Sequence, residues 1–294
     1  MGVQLSPEVR TGVVALFQQD APLTKILAKA ESSIAQAMRG PIEAPQLIRA
    51  ALLQVSMTPA LQQCDKLSIV QSVMQAASLG LMVGGPTGEA ALVPRKKKCV
   101  LMPMVRGLVA LAQRSKTVIA IPAHPVYTGD RFSVQLGSEL RIVHEPDLNR
   151  KGQVDENITH VYAIVITPSG FRDPHWMTRD EVEEIRQVSS AKDDGPWVQW
   201  WADMAIKTVV KRATKRYDLS PEFRAAVELD NRFETGRINE PTPLLDTAEE
   251  VEATVIERTQ ERSDALREKL GVGKQCEACG ARPGEAHKGE CPYA

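Results

Sequence analysis

The apolar residues of this 294-residue chain change their period across the segment "GGPTGE" at residues 84–89. Before it, "PLTKILAKAESSIAQAM", "APQLIRAALLQVSM" and "DKLSIVQSVMQAASLGLMVG" repeat apolar side chains at three- and four-residue spacing, as amphipathic helices do. An earlier segment, "LSPEVRTGVVALFQQ", opens on Ser6 followed by Pro7 and Glu8, a good helix start. Ser68 is the expected cap of the last of these helices, and Gly80 or Gly84 its stop. After the switch, "AALVP" and "KCVLMPM" read as a hairpin whose turn or second strand carries Arg95-Lys96-Lys97-Lys98. A chain with helical period in one part and strand period in the next is an α+β protein rather than a bundle or a barrel.

The rest of the chain fits that class. "VRGLVALAQRSK" reads as a helix; "VIAIPAHPVY", "RFSVQLG" and "RIVHEP" read as strands broken at Gly129-Asp130 and Gly137. "THVYAIVIT" is the clearest strand and should pair with "GFRDPHWM" across the turn Pro168-Ser169-Gly170. Thr178 with Glu181 forms a capping box for a helix through about Val188. The spacing predicts a long helix over 199–217, "VQWWADMAIKTVVKRATKRY", ending near "DLSPEF". The loop "GGPTGEA" lacks the Gly-Lys-Ser/Thr end of a Walker motif and reads as a chain-reversing turn.

Charge is segregated along the chain, although the formal net charge is only −1. No Asp or Glu occurs between Glu89 and Asp130, a window that holds Arg95, Lys96, Lys97, Lys98, Arg106, Arg114 and Lys116. The stretch from Asp218 to Asp264 has thirteen acids against five bases. A second basic cluster, Lys207, Lys211, Arg212, Lys215 and Arg216, falls at steps that share one broad helix face. The opposite face, Met204, Ala205, Val209, Val210 and Ala213, is apolar and suited to pack on a sheet. Like charges one turn apart repel, so two such clusters point to an extended polyanion, a nucleic acid held by its backbone. Aromatic residues are only 4% of the chain, too few for a long stacking surface, although Phe171, Trp176, Trp197, Trp200 and Trp201 lie near the basic segments.

No apolar run approaches the ~18 residues of a membrane span, and the N-terminus lacks the basic region and cleavage site of a secretory signal. Five cysteines, an odd number, make no disulfide framework and indicate the reducing cytoplasm. Three of them belong to "CEACGARPGEAHKGEC", which sets Cys276, Cys279, His287 and Cys291 at C-x2-C-x7-H-x3-C. Three sulfurs and one nitrogen with no open position are the ligand set of structural zinc.

Four separated segments carry a resemblance: "LSIVQSVMQAASLGLMVGGPTGEAALVPRKKKC", "VRGLVALAQRS", "AHPVYTGDRFSVQLG" and "GPWVQWWADMAIKTVVKRATKRYDLS". Together they resemble the RecT family of phage single-strand annealing proteins over roughly residues 10–235. The Gly-Pro-Trp followed by Met-Ala-x-Lys-Thr-Val-x-Lys-Arg is the most distinctive part. The family's usual Gly-Tyr-Lys-Gly-Leu stands here as Val105-Arg106-Gly107-Leu108, which keeps the cation and the glycine but loses the aromatic ring. The resemblance implies pairing of complementary single strands without ATP, by an oligomer forming rings or helical filaments that retains the annealed duplex intermediate. It implies a bacterial host cytoplasm, a phage 5′–3′ exonuclease as partner and a host single-strand binding protein as a further one. It also implies a curved antiparallel sheet packed by the long basic helix. Lys207, Lys211 and Arg212 match the family motif directly; the hairpin cations match it by position.

The resulting organisation is a helical region over 1–90 that makes oligomer contacts, a DNA-binding α+β core over 91–235, an acidic linker and helix over 236–271, and a zinc-knuckle-like element over 272–294. Lys96, Lys97, Lys98 and Arg106, with Arg95 beside them, are expected on one wall of the groove, and Lys207, Lys211, Arg212 and Lys215 on the other. No chemical turnover is expected. Two rival readings are a Mg²⁺-dependent nuclease using Asp193-Asp194 or Asp180, Glu181, Glu183 and Glu184, and a host-interaction adaptor acting through the cysteine tail.

Overall fold

The computed structural model describes residues 21–237 apart from 85–87, 151, 153 and 194, with only the backbone of Ala21 and Pro22. The chain divides into two units, Met1–Thr242 and Pro243–Ala294, the second wholly outside the described residues. The helix expected after Ser6, nearly all of the acidic linker and the zinc ligands Cys276, Cys279, His287 and Cys291 therefore lie outside them too. No described helix is long and apolar enough to cross a membrane.

Between residues 21 and 80 the chain is helical where the period is 3.6. Helices α1 (Ala21–Ala37), α2 (Ala44–Met57), α3 (Pro59–Gln62) and α4 (Lys66–Leu79) follow one another. The apolar stripe of α1, Leu23, Leu27 and Ile34, is fully buried against α2 and α4. Gly80 ends α4 in a left-handed conformation, φ 63°, as expected. The cap at the other end is not Ser68 but Asp65, whose carboxylate accepts the Ser68 N–H at 2.9 Å. Ser68 has a different use: its hydroxyl accepts the Cys99 N–H at 2.8 Å and so ties α4 to the following hairpin.

That hairpin, β1 (Ala90–Arg95) and β2 (Lys98–Pro103), is antiparallel, with Ala90 opposite Pro103 and Arg95 opposite Lys98. Helix α5 (Val105–Arg114) leaves it at once. The glycine of the Val-Arg-Gly-Leu motif has a steric reason. A Cβ on Gly107 would lie 2.1 Å from the Glu89 carbonyl oxygen, the same oxygen that accepts the Met104 N–H at 2.9 Å. The first turn of α5 thus crosses the entry strand in van der Waals contact.

The remaining strands form a three-stranded antiparallel sheet in the order β3 (Ala123–Tyr127), β6 (Ile158–Ile166), β7 (Arg172–Thr178). β4 (Arg131–Gln135) and β5 (Arg141–Glu145) pair only with each other, so the strand run expected over 118–177 folds as two small sheets. The break falls at a register shift between Val126 and Tyr127, next to the turn anchored by Asp130. The Asp130 carboxylate accepts the N–H groups of Tyr127 and Asp147 at 2.8 and 2.9 Å, lies 3.1 Å from His144 Nε2 and receives Arg150 at 2.6 Å.

Thr178 and Glu181 form the expected capping box, and α6 (Arg179–Val188) follows it. The long helix expected over 199–217 is shorter and broken: α7 (Pro196–Gln199) and α8 (Trp201–Thr214) meet at Trp200, whose backbone is not helical. Its apolar face is buried as expected, with Met204, Ala205, Val209, Val210 and Ala213 laid mainly on β6 and its neighbours β3 and β7. Another helix, α9 (Pro221–Thr235), occupies a segment whose sequence shows chiefly its acidic charge. Ser220 caps it by accepting the Phe223 N–H, and Pro221 opens it. Its buried apolar residues are Phe223, Ala226, Leu229 and Phe233, and it packs mainly on β2, α4 and α5.

Two expectations follow. Gly107→Ala should lower stability by about 2 kcal/mol, the order of an overpacked core site, as read by thermal or urea unfolding. Burial pushes the Asp130 carboxyl up, but its donors and cations outweigh burial and hold it at about 2, below its ordinary 3.8. A carboxylate depressed on folding contributes stability above its unfolded value and loses it as pH falls toward the folded one. Hydrogen exchange across residues 131–145 should therefore show an opening step between about pH 4 and pH 2, and Asp130→Asn should abolish that step.

Candidate nucleic-acid interface

The hairpin reverses through Lys96 and Lys97, and both adopt left-handed backbone conformations, φ 46° and 63°. A two-residue turn of this kind favours Asn-Gly, because a side chain in that region crowds the following carbonyl at a cost of about 1 kcal/mol per residue. Here the two positions hold cations instead. The turn is fixed from below: the Asp65 N–H donates to the Lys97 carbonyl at 2.8 Å, and the Ser72 hydroxyl donates to the Cys99 carbonyl at 3.1 Å. Lys96, Lys97 and Lys98 are exposed on a tip that is pinned to the first turn of α4. Arg106 is exposed on the first turn of α5. Arg95 points elsewhere: its guanidinium donates to the Ser190 hydroxyl at 2.7 Å and lies 5.0 Å from the centre of the Phe233 ring.

On α8 and just past its end the cations separate into two kinds. Arg212, Lys215 and Arg216 are exposed, and Arg212 pairs with Glu181 at 3.0 Å. The Thr178 N–H and the Arg212 guanidinium hold the Glu181 carboxyl below its usual range against the opposing effect of burial. Lys207 is not on the exposed face. Its side chain is 4% exposed, and its ammonium meets Oδ1 of Asp230 on α9. Lys207 therefore cannot line an open wall, because the face predicted to be solvated is covered at this turn by α9. Lys211, one turn on, is half-buried and contacts the other oxygen, Oδ2, at 2.8 Å.

Asp230 is the residue that sequence reasoning missed. Burial raises its carboxyl, but the two ammonium groups outweigh burial and hold it below the ordinary range. Its signal was present: it stands on the buried stripe of α9 with Phe223, Ala226 and Phe233, behind a Ser-Pro-Glu start like that at Ser6. The last turns of α9 thereby serve both basic elements, Phe233 under Arg95 and Asp230 between Lys207 and Lys211.

Two of the four tryptophans have structural work. In the Gly-Pro-Trp motif Gly195 has φ 96°, Pro196 opens α7, and Trp197 is buried with its indole N–H donating to Glu234 at 3.0 Å. Trp201 is buried as well; it donates to Glu183 at 2.7 Å, and Arg179 stacks 4.3 Å from its ring. Trp176 is half-buried, whereas Phe171 and Trp200 are about half exposed. Two of the acids considered for metal chemistry are engaged too. Glu181 serves the cap and Arg212, and Glu183 serves Arg186 and Trp201. Among the described residues no three His, Cys, Asp or Glu side chains are grouped to hold a metal.

A family model described as the RecT family matches residues 45–243. Protein RecT of Escherichia coli (strain K12) is 34% identical over 210 residues, which cover 69% of this chain and 77% of that protein. The uncharacterized protein YqaK of Bacillus subtilis (strain 168) is 28% identical over 168 residues, 57% of each chain.

The left-handed lysines generate a two-sided expectation. Replacing Lys96 with Asn and Lys97 with Gly should raise stability by about 1 kcal/mol, since the new turn suits the backbone. The same double substitution should weaken binding to oligo(dT), with the slope of log K against log salt shallower by about 0.7 for each phosphate no longer neutralised. Unfolding curves and binding titrations at several salt concentrations measure the two effects separately.

Proposed function

This chain belongs to the RecT family, which anneals single-stranded DNA in recombination, and from that membership we propose that its two basic elements form a groove for the sugar–phosphate backbone. The observation that carries the reading is the pair of lysines held in left-handed conformations at the tip of a pinned hairpin. A chain that needed only a turn there would be more stable with Asn-Gly, so the strain is retained for the cations. Lys96, Lys97, Lys98 and Arg106 form one wall. Lys211, Arg212 and Lys215 form the other. Arg95 sets the hairpin against α9 through Phe233 and Ser190.

Contacts to phosphate carry no sequence information, so such a groove holds any strand and leaves its bases free to sample a partner. Neighbouring copies in a ring or helical filament align their grooves, one strand is held extended, and the paired product is retained. No nucleotide hydrolysis is required, because pairing is downhill and the protein supplies only alignment. A phage 5′–3′ exonuclease that exposes the strand, and a host single-strand binding protein that occupies it, are the partners this role calls for. Cys276, Cys279, His287 and Cys291 have the donor set for a structural zinc ion in an accessory tail. The nuclease reading has less support, since Glu181 and Glu183 are committed to a helix cap, to arginines and to Trp201.

The test is annealing of two complementary oligonucleotides in the absence of ATP and Mg²⁺. The wild-type chain should accelerate pairing, and the triple variant Lys96→Glu, Lys97→Glu, Lys98→Glu should lose about tenfold or more of that rate at moderate salt. Truncation after Gly271 should leave the rate unchanged. A triple variant that anneals as fast as the wild type would overturn the groove.

A further inference from the structure

Asp230 and its two lysines form a cluster in which charge does not balance. One carboxylate faces two ammonium groups, Lys207 on Oδ1 and Lys211 on Oδ2, so the three side chains together carry one positive charge. Exposure is unequal among them: 1% for Asp230, 4% for Lys207 and 18% for Lys211. Lys207 and Lys211 are the charges that act on Asp230. The charged neighbours on α9, Glu228 and Arg232, meet each other at 2.9 Å. The excess charge therefore has one outlet, the part-exposed ammonium of Lys211, which has three N–H donors and uses one on Asp230.

We infer that Lys207 is a charge-balancing residue for nucleic-acid binding: it never touches DNA, but it neutralises Asp230 so that the charge of Lys211 remains available to a phosphate. Without it, Asp230 would be the full counter-ion of Lys211, and the pair would offer a phosphate no net charge. The buried carboxylate remains useful because it fixes where the Lys211 ammonium sits, at the end of α8, where the helix dipole also favours a cation. Asp230 positions, Lys207 compensates, and Lys211 binds. The inference rests on the groove reading above and assigns roles within it.

The experiment measures binding of oligo(dT) to the full chain as a function of salt. Lys207→Met and Lys207→Gln should both give a log K against log salt slope shallower by about 0.7, the equivalent of one phosphate, with affinity several-fold weaker. Gln retains a donor for Asp230 and fills similar space, so a purely structural role would be rescued by it, whereas a charge role is not. Adding Asp230→Asn to Lys207→Met should restore the slope, because Lys211 is then no longer neutralised. A slope unchanged in Lys207→Gln, or one not restored in the double variant, overturns the role of Lys207 and leaves the groove standing. A wild-type chain whose binding ignores salt overturns the groove and this inference with it.

Discussion

One buried carboxylate organises the C-terminal half of the described fold. Asp230 reaches from α9 into α8, and the two lysines it meets are one helical turn apart, so the contact fixes both the separation and the rotation of the two helices. Such an arrangement is costly to assemble, because two charges leave water and a third is partly withdrawn from it, and costly to break, because removing one partner strands the others at about 3–5 kcal/mol. Its effect is to specify geometry. α8 presses its apolar face on the sheet, α9 packs on the hairpin and α4, and the ion cluster locks the first to the second.

Through α9 the lock extends to the basic hairpin. Arg95 closes over Phe233 and bonds Ser190, and Glu234 collects the Ser189 hydroxyl and the Trp197 indole. The Gly-Pro-Trp motif is thus part of the frame that holds the loop after α6 against α9. Such cross-links keep a fixed geometry between two cationic segments that are far apart in the chain, as the proposed groove would need to match the phosphate spacing of a strand.

At the hairpin tip, stability and the proposed binding pull in opposite directions. Left-handed lysines are poor turn residues, and the tip is held by hydrogen bonds from α4 that override their preference. The same opposition recurs at Lys207, a buried cation where an apolar residue would pack more readily. In both places local preference is violated next to the proposed groove.

Period, caps and turn signals were local properties, and the chain alone determined them. The helices before Gly84, the hairpin around Lys96-Lys97, the capping box at Thr178 and the apolar face of α8 follow from neighbours within a few residues, where backbone sterics and burial periodicity act. Which cations face outward was a tertiary matter. Lys207, Lys211 and Arg212 are alike in the helix pattern, yet one is buried, one shared and one exposed, because α9 covers part of that face. The stripe of Phe223, Ala226 and Phe233 is present in the sequence of α9, but among the many charges of that segment the acid at Asp230 reads as surface charge. Only folding brings residue 230 to residues 207 and 211, and a Coulomb interaction between groups that distant in the chain leaves no mark on the spacing of either segment.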